Sequence, residues 1–360
     1  MARERLEKLR EKMKEKDREI IRLLNDRAQV SVEIGRVKGE NGIDVYDPAQ
    51  EARVHGYLQE LNHGPLPGKS VTAIFREIIS ASRSLQKPTT VAFLGPEASF
   101  SHLAAQMHFG ETSRFFPQTG IARVFDEVEK EAIDLGVVPV ENSLEGSVNV
   151  TLDRLITTPL QIRAEIYLRI SQCLISSAES IAQIKKTHSH PHALAQCQVW
   201  LKTNLPNCAL SEADSTAAAA QVVRGKKDEA AIGSALAAHI YGLNILAEGI
   251  EDNASNMTRF LVIGRGKSEP TGNDKTSLIF ATPDSPGSLH RALSSFASRN
   301  INLAKIESHP VKDRLWEYLF FVDMIGHVDN NHAGACLAEL KDKTTLLKIL
   351  GSYPKAEGRL

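Results

Sequence analysis

Arg27 and Lys38 stand 11 residues apart in a stretch that reads as one continuous helix. That spacing is about three turns, so the two cations leave the helix within roughly 20° of one another. By the same arithmetic Arg10 points about 100° away from Arg27. Two further polar pairs sit one turn apart, Asp47 with Glu51 and Ser82 with Gln86. Arg27 also follows the apolar Ile20–Leu24 seam, where a solvated cation is out of place. Two readings stand on pattern alone: a shared face that meets a ligand, or a charged helix whose cations are simply solvated.

A second group of candidates lies further along, where apolar runs end in small polar residues. These turns are Leu94-Gly95-Pro96-Glu97-Ala98-Ser99-Phe100-Ser101, Val140-Glu141-Asn142-Ser143-Leu144-Glu145-Gly146 and Ser189-His190-Pro191-His192. A helix N-terminus offers free N–H groups to an anion, and ligands of open α/β sheets bind beyond the strand C-termini. The chemistry indicated is capture of a small anionic molecule. A bilobed solute-binding protein satisfies the same pattern, and so does ordinary helix capping. His190 is a tempting acid, but a histidine beside proline in a turn more often serves structure.

The elements that must position these residues fall into three stretches. Residues 1–86 read as helix almost throughout, with Leu6, Leu9, Met13, Ile20, Leu23, Leu24, Val30, Ile34 and Val37 at helical spacing. Breaks at Gly39–Gly42 and at 62–68 divide this stretch into one long helix and two short ones, with Asp47-Pro48 opening the second. So long a helix cannot bury itself against two short partners, which predicts pairing with a second copy. From Val91 to about Gly266 short apolar runs alternate with helical stretches: Val91–Leu94, Leu135–Val140, Leu168–Ile175, Thr187–His190, Ala230–Gly233 and Phe260–Ile263. That order predicts a largely parallel sheet with helices on its faces. After a polar stretch, Gly264–Lys275, the order is strand Thr276–Ala281, helix Gly287–Arg299, strand Ile301–Glu307, strand Trp316–Asp323, a helix around His332–Leu340 and strand Leu346–Ser352. This βαββαβ order is the ferredoxin-like pattern.

Composition narrows the class. A chain of 360 residues implies two or three domains. With 42% hydrophobic and 24% charged residues it reads as globular and soluble. Lys+Arg at 43 against Asp+Glu at 44 leaves no field that would draw nucleic acid or a membrane surface. The four cysteines form no C-x-x-C pair, which points to reduced thiols in a cytosol rather than a zinc or redox motif. No apolar run suits a membrane span, and the charged N-terminus lacks a signal-peptide core. A cytoplasmic protein is expected.

Taken together, Arg10, Arg27, Lys38, Asp47, Glu51, Ser82 and Gln86 resemble the residue set of the all-helical chorismate mutases. That family has one long helix, two short ones and an intertwined dimer. The resemblance implies an all-α domain over 1–87 that rearranges chorismate to prephenate in one unimolecular step, without nucleophile or cofactor. Such a site must hold two carboxylates in a compact conformer and stabilise charge on the breaking ether oxygen. Arg27 and Arg10 would clamp the carboxylates, Arg10 coming from the partner chain. Lys38 and Gln86 would donate to the ether oxygen, and Glu51 and Asp47 would hold the ring hydroxyl. Where the family usually has arginine immediately before Glu51, this chain has Gln50.

The stretches FLGPEASFSH at 93–102, VVPVENSLEGSV at 137–148, SHPHALAQC at 189–197 and Asn256-Met257-Thr258-Arg259-Phe260 resemble prephenate dehydratase. The resemblance implies a bilobed α/β domain of periplasmic-binding-protein type over 90–267. It makes Thr258, Asn142 and Gln196 catalytic, and Glu141, Ser143, Ser99, Ser189, Thr216 and Arg259 substrate-binding. Prephenate is primed to lose CO2 and its ring hydroxyl because the product is aromatic. The site needs a donor at that hydroxyl and a restrained carboxylate. A threonine hydroxyl is a poor acid, so Thr258 reads as a positioned donor. His192 stands where the family usually has glutamine.

The last segment, 275–354, resembles an ACT domain, an α+β module that binds amino acids. Its motifs here are Pro286-Gly287-Ser288-Leu289 and Ile306-Glu307-Ser308-His309-Pro310. The resemblance implies L-phenylalanine as effector, held by Gly287, Ser288, Leu289, Glu307 and Ser308, with Glu307-Ser308 reading either the ammonium or the domain interface. His309 stands where the family more often has arginine. The whole chain thus reads as a bifunctional enzyme without metal or cofactor, acting on chorismate and prephenate as a homodimer or higher homo-oligomer. Two alternatives remain at this point: a prephenate dehydratase whose mutase domain is inactive and only dimerises, and a non-enzymatic amino-acid sensor.

Overall fold

The computed structural model describes residues 1–310 and 318–356. They divide into two compact units, each described by itself: residues 1–89 with 109–114 form the first, and the second holds the rest.

The first unit contains α1 (Ala2–Glu40), α2 (Pro48–Leu61) and α3 (Gly68–Gln86). Helix α1 runs 39 residues, about 58 Å. Ser31 is its one fully buried residue, while Leu9, Met13, Ile20, Leu23, Val30, Ile34 and Val37 are all exposed. The apolar periodicity seen in the sequence is therefore not satisfied within one chain. Helix α2 opens as expected, with the Asp47 carboxylate accepting from the Gln50 N–H at 2.9 Å and Pro48 in the first turn. Gly35 lets α1 and α3 close on each other, since a Cβ there would lie 2.7–3.0 Å from Gln86. Residues 109–114 pack with these helices, Arg83 donating to the Phe109 carbonyl at 2.6 Å.

The second unit begins as two lobes. The first lobe holds β1 (Thr90–Leu94), α4 (Phe100–Phe109), β2 (Arg114–Gln118), α5 (Ile121–Glu129), β3 (Leu135–Asn142), β4 (Gly146–Ser147), α6 (Asn149–Thr157) and β5 (Gln161–Arg169). Phe109 at the end of α4 and Arg114 at the start of β2 belong to the first unit. The second holds β6 (Cys173–Ser176), β7 (Lys186–Ser189), α7 (Pro191–Gln196), α8 (Gln198–Asn204), β8 (Ala209–Glu212), α9 (Thr216–Val222), β9 (Glu229–Gly233), α10 (Ala235–Tyr241) and β10 (Asn244–Glu248). The chain then returns through β11 (Met257–Gly264) to the middle of the first sheet, whose order is β2-β1-β3-β11-β5 with β4 beside β3. The second sheet runs β10-β6-β9-β7-β8.

Neither sheet is largely parallel, contrary to the sequence expectation. In the first, β1 and β3 are parallel, but β11 is antiparallel to both β3 and β5. In the second, β7 is parallel to β8 and β9, whereas β6 is antiparallel to β9 and β10. Helical crossovers give parallel neighbours, but a strand that returns from the other lobe enters its sheet from the opposite end. The apolar run 168–175, expected as one strand, is for the same reason two. It ends β5 in one sheet and starts β6 in the other. Strands β2, β8 and β10 are short and partly exposed, so they lack the apolar signature that marked the rest.

The C-terminal part is β12 (Asp274–Ala281), α11 (Ser288–Ala297), β13 (Leu303–Pro310), β14 (Tyr318–Ile325), α12 (Asn331–Asp342) and β15 (Leu346–Pro354), the βαββαβ order expected. Residues 316–317 of the expected third strand lie outside the described residues. The sheet runs β13-β14-β12-β15 and is antiparallel throughout. Both of its faces are covered. Leu278, Phe280, Val322 and Met324 pack with α11 and α12, while Ile279, Leu319, Phe321, Leu350 and Tyr353 join Val138, Leu261 and Ile263 in the core of the first lobe. Strand β15 comes so close to β5 that a Cβ at Gly351 would lie 2.3 Å from the Ile162 carbonyl oxygen. The polar stretch 264–275 thus joins two parts of one core. No described helix is long and apolar enough to cross a membrane.

Candidate active sites

In the helical unit a cavity of about 290 Å³ is lined by Arg27, Lys38, Asp47, Glu51, Ser82 and Gln86, six of the seven residues singled out there. Arg10 lies outside it, exposed to solvent. Arg27 donates to the Ser82 hydroxyl at 2.5 Å, which itself donates to the Ile78 carbonyl at 2.8 Å. Lys38 gives two of its three N–H donors to the carbonyls of Asp44 and Val45, both at 3.1 Å, and has one left. Gln86 donates to Ser31 at 2.8 Å, and Ser31 in turn donates to the Ser82 carbonyl at 3.1 Å. Burial pushes the Glu51 carboxyl up; Arg83 pulls it down, and the nearby Asp47 adds to the rise. Arg83, which the sequence reading passed over, lines the same cavity. The signal available for it was position: it sits one turn after Ile79 on the buried face of α3.

The second constellation forms where β3 and β11 lie side by side, Thr258 opposite Asn142 and Arg259 opposite Glu141. The Asn142 carbonyl oxygen accepts from the backbone N–H groups of Leu144 (2.9 Å) and Glu145 (3.1 Å), which fixes the orientation of its amide. Its NH2 therefore donates, at 2.8 Å each, to the Thr258 hydroxyl and to Asn256. Asn256 donates to Gln196 at 3.2 Å, and Gln196 donates to Glu145 at 3.4 Å, with His192 also on Glu145 at 2.9 Å. The chain of bonds spans both lobes. Because Thr258 accepts from Asn142, its own proton is free to be donated elsewhere. Asn256, 1% exposed, lay inside the quoted motif but was not singled out.

The remaining candidates divide. Ser143 ties the turn to β11, accepting from the Met257 N–H at 2.9 Å and donating to the Ser255 carbonyl at 3.2 Å. Ser99 donates to the Leu94 carbonyl and accepts from the His102 N–H, capping α4. Ser189 is fully buried and donates to Ile232 on β9. Thr216 is the first residue of α9, behind Ser215 as its cap. Glu141 and Arg259 project to the opposite face of the strand pair from Asn142 and Thr258. There they line a cavity of about 1010 Å³ with Lys305 and Asp323 of the C-terminal sheet. Arg259 is held by Glu165 at 2.9 Å, Asp323 at 2.6 Å and Tyr353 at 3.0 Å.

Three family models match the chain: chorismate mutase type II over residues 9–87, prephenate dehydratase over 91–268 and the ACT domain over 276–342. The bifunctional chorismate mutase/prephenate dehydratase of Aquifex aeolicus is 44% identical over 98% of this chain and 99% of its own length. The chain belongs to this bifunctional family. A second member, from Stutzerimonas stutzeri, is 41% identical over 98% of both chains. A crystal structure of prephenate dehydratase from Arthrobacter aurescens in complex with L-Phe superposes with a TM-score of 0.69 at 36% identity. That match covers 75% of this chain and 91% of the other.

Gly287 has φ +78 and opens α11, where Ser288 bonds Ser285 at 2.6 Å and receives Arg291 at 2.9 Å. Leu289 packs on the helix-side core of the ACT domain. Glu307 accepts from Ser147 of the dehydratase domain at 2.5 Å and pairs with Lys305 at 3.0 Å. Lys305 also pairs with Glu141 at 3.0 Å. Ser308 lies on β13 opposite Phe320. His309 is buried and meets Asp153 of α6 at 2.8 Å. Of the two motifs, Ile306–Pro310 meets the dehydratase domain, while Pro286–Leu289 sits at the start of α11.

Proposed function

We propose that the chain converts chorismate to prephenate in the helical cavity and prephenate to phenylpyruvate at the Asn142–Thr258 pair, under feedback inhibition by L-phenylalanine. The observation that carries this reading is that hydrogen-bonded pair. Asn142, oriented by two backbone N–H groups, donates to the Thr258 oxygen and leaves that hydroxyl's own proton to be donated. A hydroxyl so held is a donor to the departing ring hydroxyl of prephenate while CO2 leaves and the ring becomes aromatic. No strong acid is needed, because the gain in aromaticity drives both departures, and the preorganised donor stabilises charge on the leaving oxygen.

In the helical cavity the residues supply position and charge. Arg27 is held by Ser82 and offers its remaining N–H groups to a carboxylate. Lys38 and Gln86 reach the breaking ether oxygen, and Glu51 with Asp47 takes the ring hydroxyl. Such a site works by restricting a flexible diacid to its reactive conformer.

A second copy of the chain completes this site. The exposed apolar residues of α1, from Leu9 to Val37, form a stripe about 40 Å long that a partner α1 would cover. Arg10, which points away from its own cavity, would then enter the partner's. The reading carries with it a cytoplasmic homodimer. L-phenylalanine would bind about Gly287–Leu289 and act through the β13 contacts to Glu141 and Ser147.

The test is to give the purified protein chorismate alone and follow prephenate and phenylpyruvate against the uncatalysed background. Appearance of phenylpyruvate is the expected result. Persistence of chorismate would overturn the mutase half, and prephenate supplied directly then tests the other half.

A further inference from the structure

Arg83 is 4% exposed, a burial that an arginine tolerates only when it is paired. It lies between aromatic rings, its guanidinium carbon 5.7 Å from the Tyr46 centroid and 5.3 Å from that of Phe109. One terminal nitrogen donates to the Phe109 carbonyl at 2.6 Å, and the other lies 3.1 Å from a Glu51 carboxylate oxygen. Its Nε is buried and makes no hydrogen bond, and the nitrogen facing Glu51 meets it as an ion pair without hydrogen-bond geometry. The neighbour of Glu51 on its own helix, Gln50, is neutral, and its side-chain oxygen is taken by Arg53 at 3.3 Å. The groups that bear on Glu51 are thus Arg83 from α3, Lys38 from α1 and Asp47 from α2 itself. Arg27 lies on the same cavity, and His55 one turn further along α2.

We infer that Arg83 is a positioning residue of the mutase site, its ring-clamped guanidinium keeping the Glu51 carboxylate ionised and facing the cavity to accept a hydrogen bond from the substrate's ring hydroxyl. The inference rests on the reading of this cavity as the mutase site. Its physical basis is a desolvated carboxylate beside Asp47, which stays charged only if a cation is held against it. Among the described residues Arg83 is the cation within ion-pair distance of Glu51, at 3.1 Å, while Lys38 spends two donors on backbone carbonyls.

The experiment compares Arg83→Gln, Arg83→Lys and wild type in the full chain, with dehydratase turnover of prephenate as the control for folding. Arg83→Gln is expected to lower kcat/KM for chorismate at least about tenfold at pH 6, with recovery toward the wild-type value by pH 9. Arg83→Lys should restore part of the loss. A fall of equal size at every pH, or an unchanged profile, overturns the inference. Independently of turnover, the Glu51 carboxyl is titrated by 13C NMR, with Glu51→Gln to assign it. Its midpoint should move to higher pH in Arg83→Gln, and a midpoint that stays put also overturns the inference. A midpoint that moves in a chain without chorismate turnover supports the positioning role and sinks the mutase reading instead.

Discussion

Arg259 donates to Asp323 across 2.6 Å, and the residue before it on the same strand is Thr258. Because side chains alternate along a strand, Thr258 faces one way, toward Asn142, and Arg259 the other, into the ACT sheet. The strand pair β3–β11 is thus gripped on its far side at both positions, Arg259 by Asp323 and Glu141 by Lys305. The dehydratase strands and the ACT strands are two faces of one structure.

Asp323→Asn is therefore expected to cost the second unit about 3 kcal/mol or more, since removing one member of a buried pair strands the other. Burial by itself would raise the Asp323 carboxyl, but Arg259 and a hydrogen bond from Ser277 hold it below the usual carboxylate range. The stabilisation is accordingly present at neutral pH and is lost only as pH falls through the lowered folded value. Urea unfolding at pH 7 measures it. An unchanged midpoint would show that Glu165 and Tyr353 suffice to hold Arg259.

Thr258→Ala should lower dehydratase kcat by about 100-fold, the usual cost of one preorganised donor. Thr258→Ser, which keeps the hydroxyl, should retain most of the rate. Mutase turnover of the same preparations should match wild type. Equal losses in the alanine and serine variants would mean that the methyl group, not the hydroxyl, matters.

Lys305 bridges Glu141 and Glu307, so it stands between the ACT motif and the Asn142 turn. Lys305→Met should leave basal dehydratase activity within about twofold, because paired charges at partly open sites contribute little. It should raise the L-phenylalanine concentration needed for half-inhibition several-fold. Unaltered inhibition would exclude this bridge as the route.

The shared-site reading of the dimer makes a sharper demand. Arg27→Ala and Arg10→Ala should each abolish mutase activity and spare dehydratase activity. Mixed after exchange of subunits, the two inactive proteins should regain about one quarter of wild-type mutase turnover, since half the dimers are mixed and each carries one intact site. No recovery in verified mixed dimers would place Arg10 outside the partner's cavity.

What could be read in advance depended on how locally each feature is encoded. Arg27 with Lys38, and Ser82 with Gln86, were legible as pairs because helix geometry sets which side chains of one helix share a face, but only the family resemblance joined them into one site. Asn142 and Thr258, 116 residues apart, were legible only as motifs, and their contact required the register of a strand returning from another lobe. That return also defeated the expectation of parallel sheets. Asn256 and Arg83 were missed because polarity normally marks a surface residue, and their burial comes from tertiary neighbours. The helix-period apolar stripe of α1 was visible at once, and it remains uncovered in the single chain.

Gln50 gives the last prediction. The family usually has arginine there, so restoring it raises mutase turnover if the gap matters. The geometry argues for a small effect: Glu51 already has Arg83 at 3.1 Å, and a new cation would stand beside Arg53 as well. Gln50→Arg should change kcat/KM for chorismate by less than about twofold, as expected when an added charge meets a carboxylate already paired. In the Arg83→Gln background the same substitution should matter, because Glu51 there lacks a partner and the new guanidinium can take the vacated role. Coupled sites deviate from additivity by roughly 0.5–3 kcal/mol. Recovery in the double variant, with little gain in the single one, would show that one cation beside Glu51 is required and that α2 or α3 can supply it. A gain of the same size in both backgrounds would mean that residue 50 acts on the substrate directly and that Arg83 does not substitute for it.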